Sequence, residues 1–429
     1  MTCKTVAIVA LALVMTISQS NDKPKNNLGF IFVFLTVTLD MLSIGIIIPI
    51  MPNLINQMNG GNIAAASIAQ GWIAMAWAIA QFIFMPIIGA ASDAYGRKNI
   101  FLLSNIGQAA AYVLSAIAPS LFLLACARIV AGVMSGSVST AYAYVADTYE
   151  PSERAVKMGQ LGAAFGLGFV LGPGIGGWLG DIDLRLPLWF SAVISTGAFF
   201  FGLFFLRESL PEDKRVKFSW TRANPLSTFS FFKTNPQIIG LTATKYLNDF
   251  AHTALPSTFI LYALYRFDWG PKESGLLMMS VGAAGVIVQG GLVKRIVSAI
   301  GEKKALLFGL LCGSLGFVGY AVVSDVKFII FAILFASLWG VYGASMQAFL
   351  TSKISPQEQG RLQGALGSLT ATTGIFGPLL FTHIFAFSIS DKASTHVPGA
   401  SFYLSALLIF ISLGLAIFVT RNFPSRIEH

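Results

Sequence analysis

Charged residues are scarce in this chain. Asp, Glu, Lys and Arg make up 11% of its 429 residues, against roughly a quarter in ordinary soluble domains. A soluble protein of this length could not cover its surface with so few charges. Cysteine is scarcer still: Cys3, Cys126 and Cys312 have no metal-site spacing and form no disulfide framework. There is no P-loop, which excludes nucleotide as the source of work. No metal-ligand cluster or nucleophile–base pattern supports an enzyme, and no cofactor is expected. The chain also lacks any N-x-S/T sequon, which favours a bacterial membrane over a eukaryotic cell surface.

What the chain has instead is apolar length. More than half of it is hydrophobic, gathered into stretches of about 20 residues, the length a helix needs to cross a bilayer. These fall near 28–49, 64–90, 100–118, 121–146, 156–180 and 187–206. After a polar gap they resume near 236–262, 274–293, 305–323, 328–350, 362–388 and 400–420. The net charge of +9 raises nucleic acid as a partner, but the placement of the basic residues speaks against it. Take the segment before the first stretch as cytoplasmic. Of the 28 Lys and Arg, only Arg185, Arg266, Lys272, Lys327 and Lys392 then fall outside, with Lys4 in a leader and Arg128 and Lys245 inside spans. The rest are cytoplasmic, which is the positive-inside asymmetry and puts both termini in the cytoplasm, in a bacterial inner membrane. Residues 1–27 carry a signal-like charge and apolar run without an A-x-A site. They read as a dispensable extension or an over-long start assignment, with a retained interfacial helix as the alternative.

The sequence repeats at an offset of 205 residues. Gly96 matches Gly301, Lys98 matches Lys303, Pro151 matches Pro356 and Glu153 matches Glu358. Gly162 matches Gly367, and Gly172-Pro173 matches Gly377-Pro378. Such a repeat predicts an all-α membrane protein with twelve transmembrane helices in two pseudo-symmetric six-helix bundles. The bundles cover 28–206 and 236–429, the latter with a short cytoplasmic tail, joined by a cytoplasmic linker over 207–235. A site near the midplane, between the halves of a single chain acting as a monomer, is the expected place for a small-molecule substrate.

Two motifs carry a family resemblance. The loop after the second span reads Gly89-Ala-Ala-Ser-Asp93-Ala-Tyr-Gly96-Arg97-Lys98. It resembles the signature loop of major facilitators, G-x-x-x-D-x-x-G-R-[RK]. Asp93 can bond to amides at a neighbouring helix end, and Arg97 can pair with a carboxylate there, making a releasable latch. The plainer reading is a basic anchor obeying the charge rule. In the second half Ser298 stands at the aspartate position, so the latch is expected to be asymmetric. The fifth span carries Gly162, Gly166, Gly168, Gly172-Pro173 and Gly176-Gly177. Glycines so spaced make a smooth face for close helix approach, whether as ordinary packing or as a hinge. This stretch looks like the antiporter motif, which in the superfamily marks proton-driven exporters. Leu39-Asp40, Gly45, Pro49 and Pro52, with Arg128, Gly132 and Ala146-Asp147-Thr148, are similar to the tetracycline/proton antiporter branch. That resemblance implies proton-coupled efflux of a small amphipathic compound. Tetracycline carriers have an acidic residue where this chain has Ala111, a histidine in the eighth span near Gly285 and an aspartate in the ninth near Gly313.

Ionised groups inside a bilayer are costly and mark function by default. Asp40, Arg128, Lys245 and Asp249 are the charges placed there, and their sum is zero. Lys245, Asp249 and His252 fall at i, i+4 and i+7 on one helical stripe. They form either a second proton-coupling site or a static ion pair beside a satisfied histidine. Asp40 is the candidate proton carrier, with Arg128 as its counter-charge or as a guide for an anionic substrate. Gln70, Trp77, Gln81, Tyr112, Gln289, Trp339 and Gln347 are candidate cavity lining. The rival functions are a facilitator or symporter importing a sugar, peptide or siderophore, and a receptor without flux.

Overall fold

The computed structural model describes residues 24–220, 224–225, 229–325, 329–355 and 358–421. Ten segments are long and apolar enough to cross a membrane. One of them, Pro271–Val322, has 52 residues and is two spans in series, because Gly301 (φ 79°, ψ 161°) breaks it. The seventh span is missing from the ten because it is built from two 14-residue helices, Ile239–His252 and Ala254–Phe267. Pro256 offers no N–H to the His252 carbonyl, which accounts for the break between them. Twelve spans result. Their bounds differ modestly from the apolar stretches; the first continues past Pro49 as Met51–Met58, restarted by Pro52 at its first turn.

The sequence repeat is also a backbone repeat. Gly96 (φ 97°) and Gly301 occupy the same left-handed region at the turns between spans two and three and between eight and nine. A side chain would be strained at either point. Pro173 and Pro378 both lie inside long helices, Pro151–Ile182 and Gln359–Ser388. Interior helix contacts repeat as well: Ser191 donates to the Ser43 carbonyl (3.3 Å) in the first half, and Ser412 to that of Thr244 (2.9 Å) in the second.

Four spans are discontinuous: the first, the fourth (Leu121–Val133, then Ser137–Thr148), the seventh and the tenth (Ile329–Leu338, then Gly340–Ser352). Interrupted backbone is tolerated at membrane depth only where protein or a water-filled cavity covers it. All the charges placed in the membrane by the sequence lie on these broken spans. Large apolar side chains such as Phe122 (79% exposed) and Phe418 (76% exposed) point outward, as lipid contact requires.

The halves meet at one end and part at the other. At the end bearing the 59–62 loop, Ser67 donates to the Thr382 carbonyl (2.8 Å), and Gly71 lies against Thr382 and Leu379. Nearby, Gly177 abuts Pro271 and Gly275, while Gly174 faces Met279. Towards the end bearing Gly96 and Gly301, these helix pairs diverge. A Cβ at Gly89, Gly162, Gly166, Gly285, Gly364 or Gly367 would meet nothing within 4 Å. The molecule is therefore open on the side of the first described residue and the linker, and closed on the opposite side.

Candidate functional site

At the open end, Arg97 is 8% exposed and gathers two carboxylates. Its Nη1 donates to Asp93 at 2.5 Å and its Nε to Asp147 at 2.8 Å. Ser92 also accepts from Nη1 at 3.2 Å. Asp93 does not cap a helix, as the sequence suggested. That task falls to Glu208, whose carboxylate accepts from the backbone amides of Arg97 (2.8 Å) and Lys98 (3.2 Å) at the start of the third span. An anion at this N-terminus satisfies orphan donors and opposes the helix dipole. A Cβ on Gly96 would run into Glu208, so the glycine is needed for this approach as well as for its φ. The start of the linker straps over the same loop: Val216 donates to the Asp93 carbonyl (3.2 Å), and Arg215 lies 4.0 Å from Glu208. Glu208 had no periodic or motif signal in the sequence. Lys98 reaches the Leu203 carbonyl at 2.9 Å. Gly89 borders open space. In the second half Lys303 donates to the Arg421 carbonyl (3.1 Å).

The fifth-span glycines divide into three sets. Gly168, Gly172 and Gly176 face the first span, where added Cβ atoms would collide with Met41, Gly45 and Ile46 respectively. Gly177 faces the eighth span together with the carbonyl side of Pro173, which abuts Gly275. Gly162 and Gly166 face open space. Gly176→Ala is expected to lower the melting temperature in detergent, because overpacking of this kind costs about 1–3 kcal/mol. Gly166→Ala should melt like the parent. Equal melting of the two variants would contradict the packing.

Among the described residues, two cavities adjoin the charged spans. The larger, about 930 Å³, is walled by the seventh, eighth, tenth and eleventh spans and includes Lys245, Asp249, His252, Gln289, Trp339 and Gln347. The smaller, about 400 Å³, is walled mainly by the first half and includes Gln70, Trp77, Gln81, Tyr112 and Arg128. All seven residues suggested as lining thus border one cavity or the other. Gln289 sits in a π-helical turn, Val288–Leu292, a distortion common at functional sites.

The membrane charges are not all neutralised by one another. Lys245 and Asp249 form an ion pair, with side chains 22% and 17% exposed to the cavity. Asp249 Oδ2 also accepts from Thr370 of the eleventh span at 2.9 Å. Asn248 accepts from the Trp339 indole at 2.8 Å, and the His252 ring lies 4.8 Å from that indole. Thr370 and Asn248 had no sequence signal, since spacing along one helix says nothing of what a neighbouring helix presents. Asp40 is 5% exposed beside Ser137, and its Oδ2 has no hydrogen-bond partner among the described residues. Arg128 Nη1 also lacks a partner, and no ion pair joins it to Asp40 among the described residues.

Two departures from the tetracycline carriers have a steric reading. A Cβ on Gly313 would lie 2.6 Å from Trp339 Cδ1, so the indole occupies the space a side chain there would need. Gly285 borders the larger cavity with nothing within 4 Å, leaving room there. Ala111 is fully buried beside Tyr112.

Two six-helix bundles that meet at one end and enclose cavities bordered by membrane charges define a multi-pass membrane transporter. Residues 33–378 match the Major Facilitator Superfamily, and the chain belongs to that family. It is 31% identical over 388 residues to the class C tetracycline resistance protein of Escherichia coli, covering 89% of this chain and 96% of that one. It is 30% identical over 400 residues to the class H protein of Pasteurella multocida, covering 92% and 97%. Among solved structures, it resembles a bacterial homolog of the human lysosomal transporter Spinster, in an inward-facing and occupied conformation. That similarity has a TM-score of 0.73 at 16% identity, covering 95% of this chain and all of the other. The chain is thus similar to tetracycline resistance proteins over about nine-tenths of its length.

Proposed function

We propose that the protein exports a small amphipathic compound in exchange for protons, acting as a monomer in the bacterial cytoplasmic membrane with both termini inside. The observation that supports this most is Asp40: a buried carboxyl with an unpartnered oxygen, in the first half of a protein similar to resistance exporters. Ser137 bonds to the carboxyl, but one oxygen has no donor among the described residues to offset its burial, so taking up a proton relieves the site. In the cycle, substrate enters the cavity from the open side and the halves rock. The contacts of spans two with eleven and five with eight then separate on the other side. Substrate leaves there, a proton enters on the Asp40 carboxyl, the halves return, and the proton is released inside. The Arg97 cluster and Glu208 are the latch holding the open side, to be rearranged as that side closes. Tetracycline itself is not favoured as substrate, because the ionisable side chains that tetracycline carriers have at Ala111 and near Gly285 and Gly313 are missing here.

Energised inverted vesicles should accumulate substrate, and a protonophore should abolish the accumulation. Uphill accumulation only in right-side-out vesicles would mean an importer. Orientation has its own test. With Cys126 and Cys312 replaced, a cysteine at Lys392 should react with an impermeant thiol reagent from outside and one at Asp213 only from inside. Both positions are exposed, whereas Ser92 in the cytoplasmic loop, at 1% exposed, is unsuitable. The reverse labelling pattern would invert the topology and make the open side face outward.

A further inference from the structure

We propose that the compound carried is a planar aromatic anion and that Arg128 binds its charge; the direction of movement rests on the export reading above, the ligand class on the cavity. The fixed charges bordering the two cavities are Lys245, Asp249 and Arg128. Lys245 and Asp249 cancel as an ion pair that Thr370 completes. Arg128 has no such partner among the described residues, and its Nη1 makes no hydrogen bond. Arg128 is therefore the one fixed charge among the residues lining the smaller cavity. A cation held out of bulk water without a counter-ion is costly, and a ligand anion removes that cost on binding. Guanidinium is also the side chain whose planar fork matches a carboxylate, sulfonate or enolate in two parallel bonds.

The rest of the same wall describes the body of the ligand. Phe165 and Phe169 border this cavity as a stacked pair, with centroids 5.3 Å apart and planes within 6°. Trp77 and Tyr112 add two further rings. Such flat faces favour a flat aromatic partner. Gln70 Oε1 is buried without a donor, so a hydroxyl or amine on the ligand has an acceptor waiting. A volume of about 400 Å³ lies in the range of small-molecule sites and admits a few fused rings.

Fluorescein and rhodamine 123 share a xanthene core and differ in charge, which makes them the probes. Fluorescence anisotropy with the purified protein in detergent should give saturable fluorescein binding, with rhodamine 123 at least about 10-fold weaker. Arg128→Gln should weaken fluorescein about 10-fold to 100-fold, the range for losing a hydrogen bond to a charged group, while leaving rhodamine 123 little changed. Arg128→Lys should recover part of the affinity, which separates loss of charge from loss of fold. Rhodamine 123 binding as tightly as fluorescein would overturn the proposal, as would undiminished fluorescein binding by Arg128→Gln. Inverted vesicles separate this proposal from the export reading. Arg128-dependent fluorescein binding without vesicle accumulation would leave the ligand class standing and remove export. Accumulation of rhodamine 123 without fluorescein binding would do the reverse.

Discussion

Replacing Asp40 by asparagine should abolish uphill, proton-driven accumulation in inverted vesicles while leaving the protein folded in the membrane. The side chain is 5% exposed, beside Ser137, and its Oδ2 has no partner. Asparagine keeps the volume and the hydrogen-bonding reach but cannot bind and release a proton. Stability should change little, because no ion pair is broken: Asp40 has none among the described residues. Accumulation should fall to background at every imposed pH gradient, whereas downhill movement of substrate through the cavity continues. The two readouts separate a coupling role from a structural one, since a misfolded variant would lose both. Wild-type accumulation that still followed the pH gradient in Asp40→Asn would remove this residue from the coupling mechanism.

The second large effect concerns the seventh span. Neutralising either Lys245 or Asp249 leaves the other without its counter-charge, a change that costs roughly 3–5 kcal/mol where burial is complete. Here about a fifth of each side chain remains exposed to the cavity. Water there screens the orphan charge, and a loss of about 1–3 kcal/mol is the appropriate expectation. Both single variants should therefore melt earlier and transport poorly. The double variant, Lys245→Met with Asp249→Asn, should recover the melting temperature. It should still fail to accumulate substrate, because Asp249 does more than neutralise Lys245. Its Oδ2 is shared with Thr370 of the eleventh span, which packs against the second span at the closed end. A proton or substrate competing for that oxygen would alter the link between spans seven and eleven as well as the ion pair. Recovery of uphill transport together with stability in the double variant would reduce the pair to a static one. Melting curves and vesicle assays at matched expression decide between them.

Much of the architecture was legible because it follows from one-dimensional constraints. A bilayer needs about 20 apolar residues per helix, and few charges are tolerated within it, so the twelve spans stand out along the chain. The 205-residue repeat was legible for a similar reason. Gly96 and Gly301 hold backbone angles that other residues adopt only with strain, and the same residue therefore recurs at both turns. The seven suggested lining residues carry amides or rings in otherwise apolar helices, a local signal that needs no neighbour to be read.

The tertiary structure decided everything that depends on which helix faces which. Helical spacing grouped the fifth-span glycines as one smooth face, yet Gly172 and Gly176 approach the first span, Gly177 the eighth, and Gly162 and Gly166 open space. The sum of the membrane charges was zero by sequence, but among the described residues only Lys245 and Asp249 of the four meet, and Asp40 and Arg128 each retain an unpartnered atom. Glu208 reaches the Arg97 amide across 111 positions of chain, and Thr370 reaches Asp249 across 121. The sequence by itself determined how many times this chain crosses the membrane, and its charge asymmetry set the expected orientation, because hydration of backbone and charge acts on each segment separately. Only the packed structure decided which polar groups find partners, because a hydrogen bond or ion pair depends on the position of a second group that chain distance does not specify.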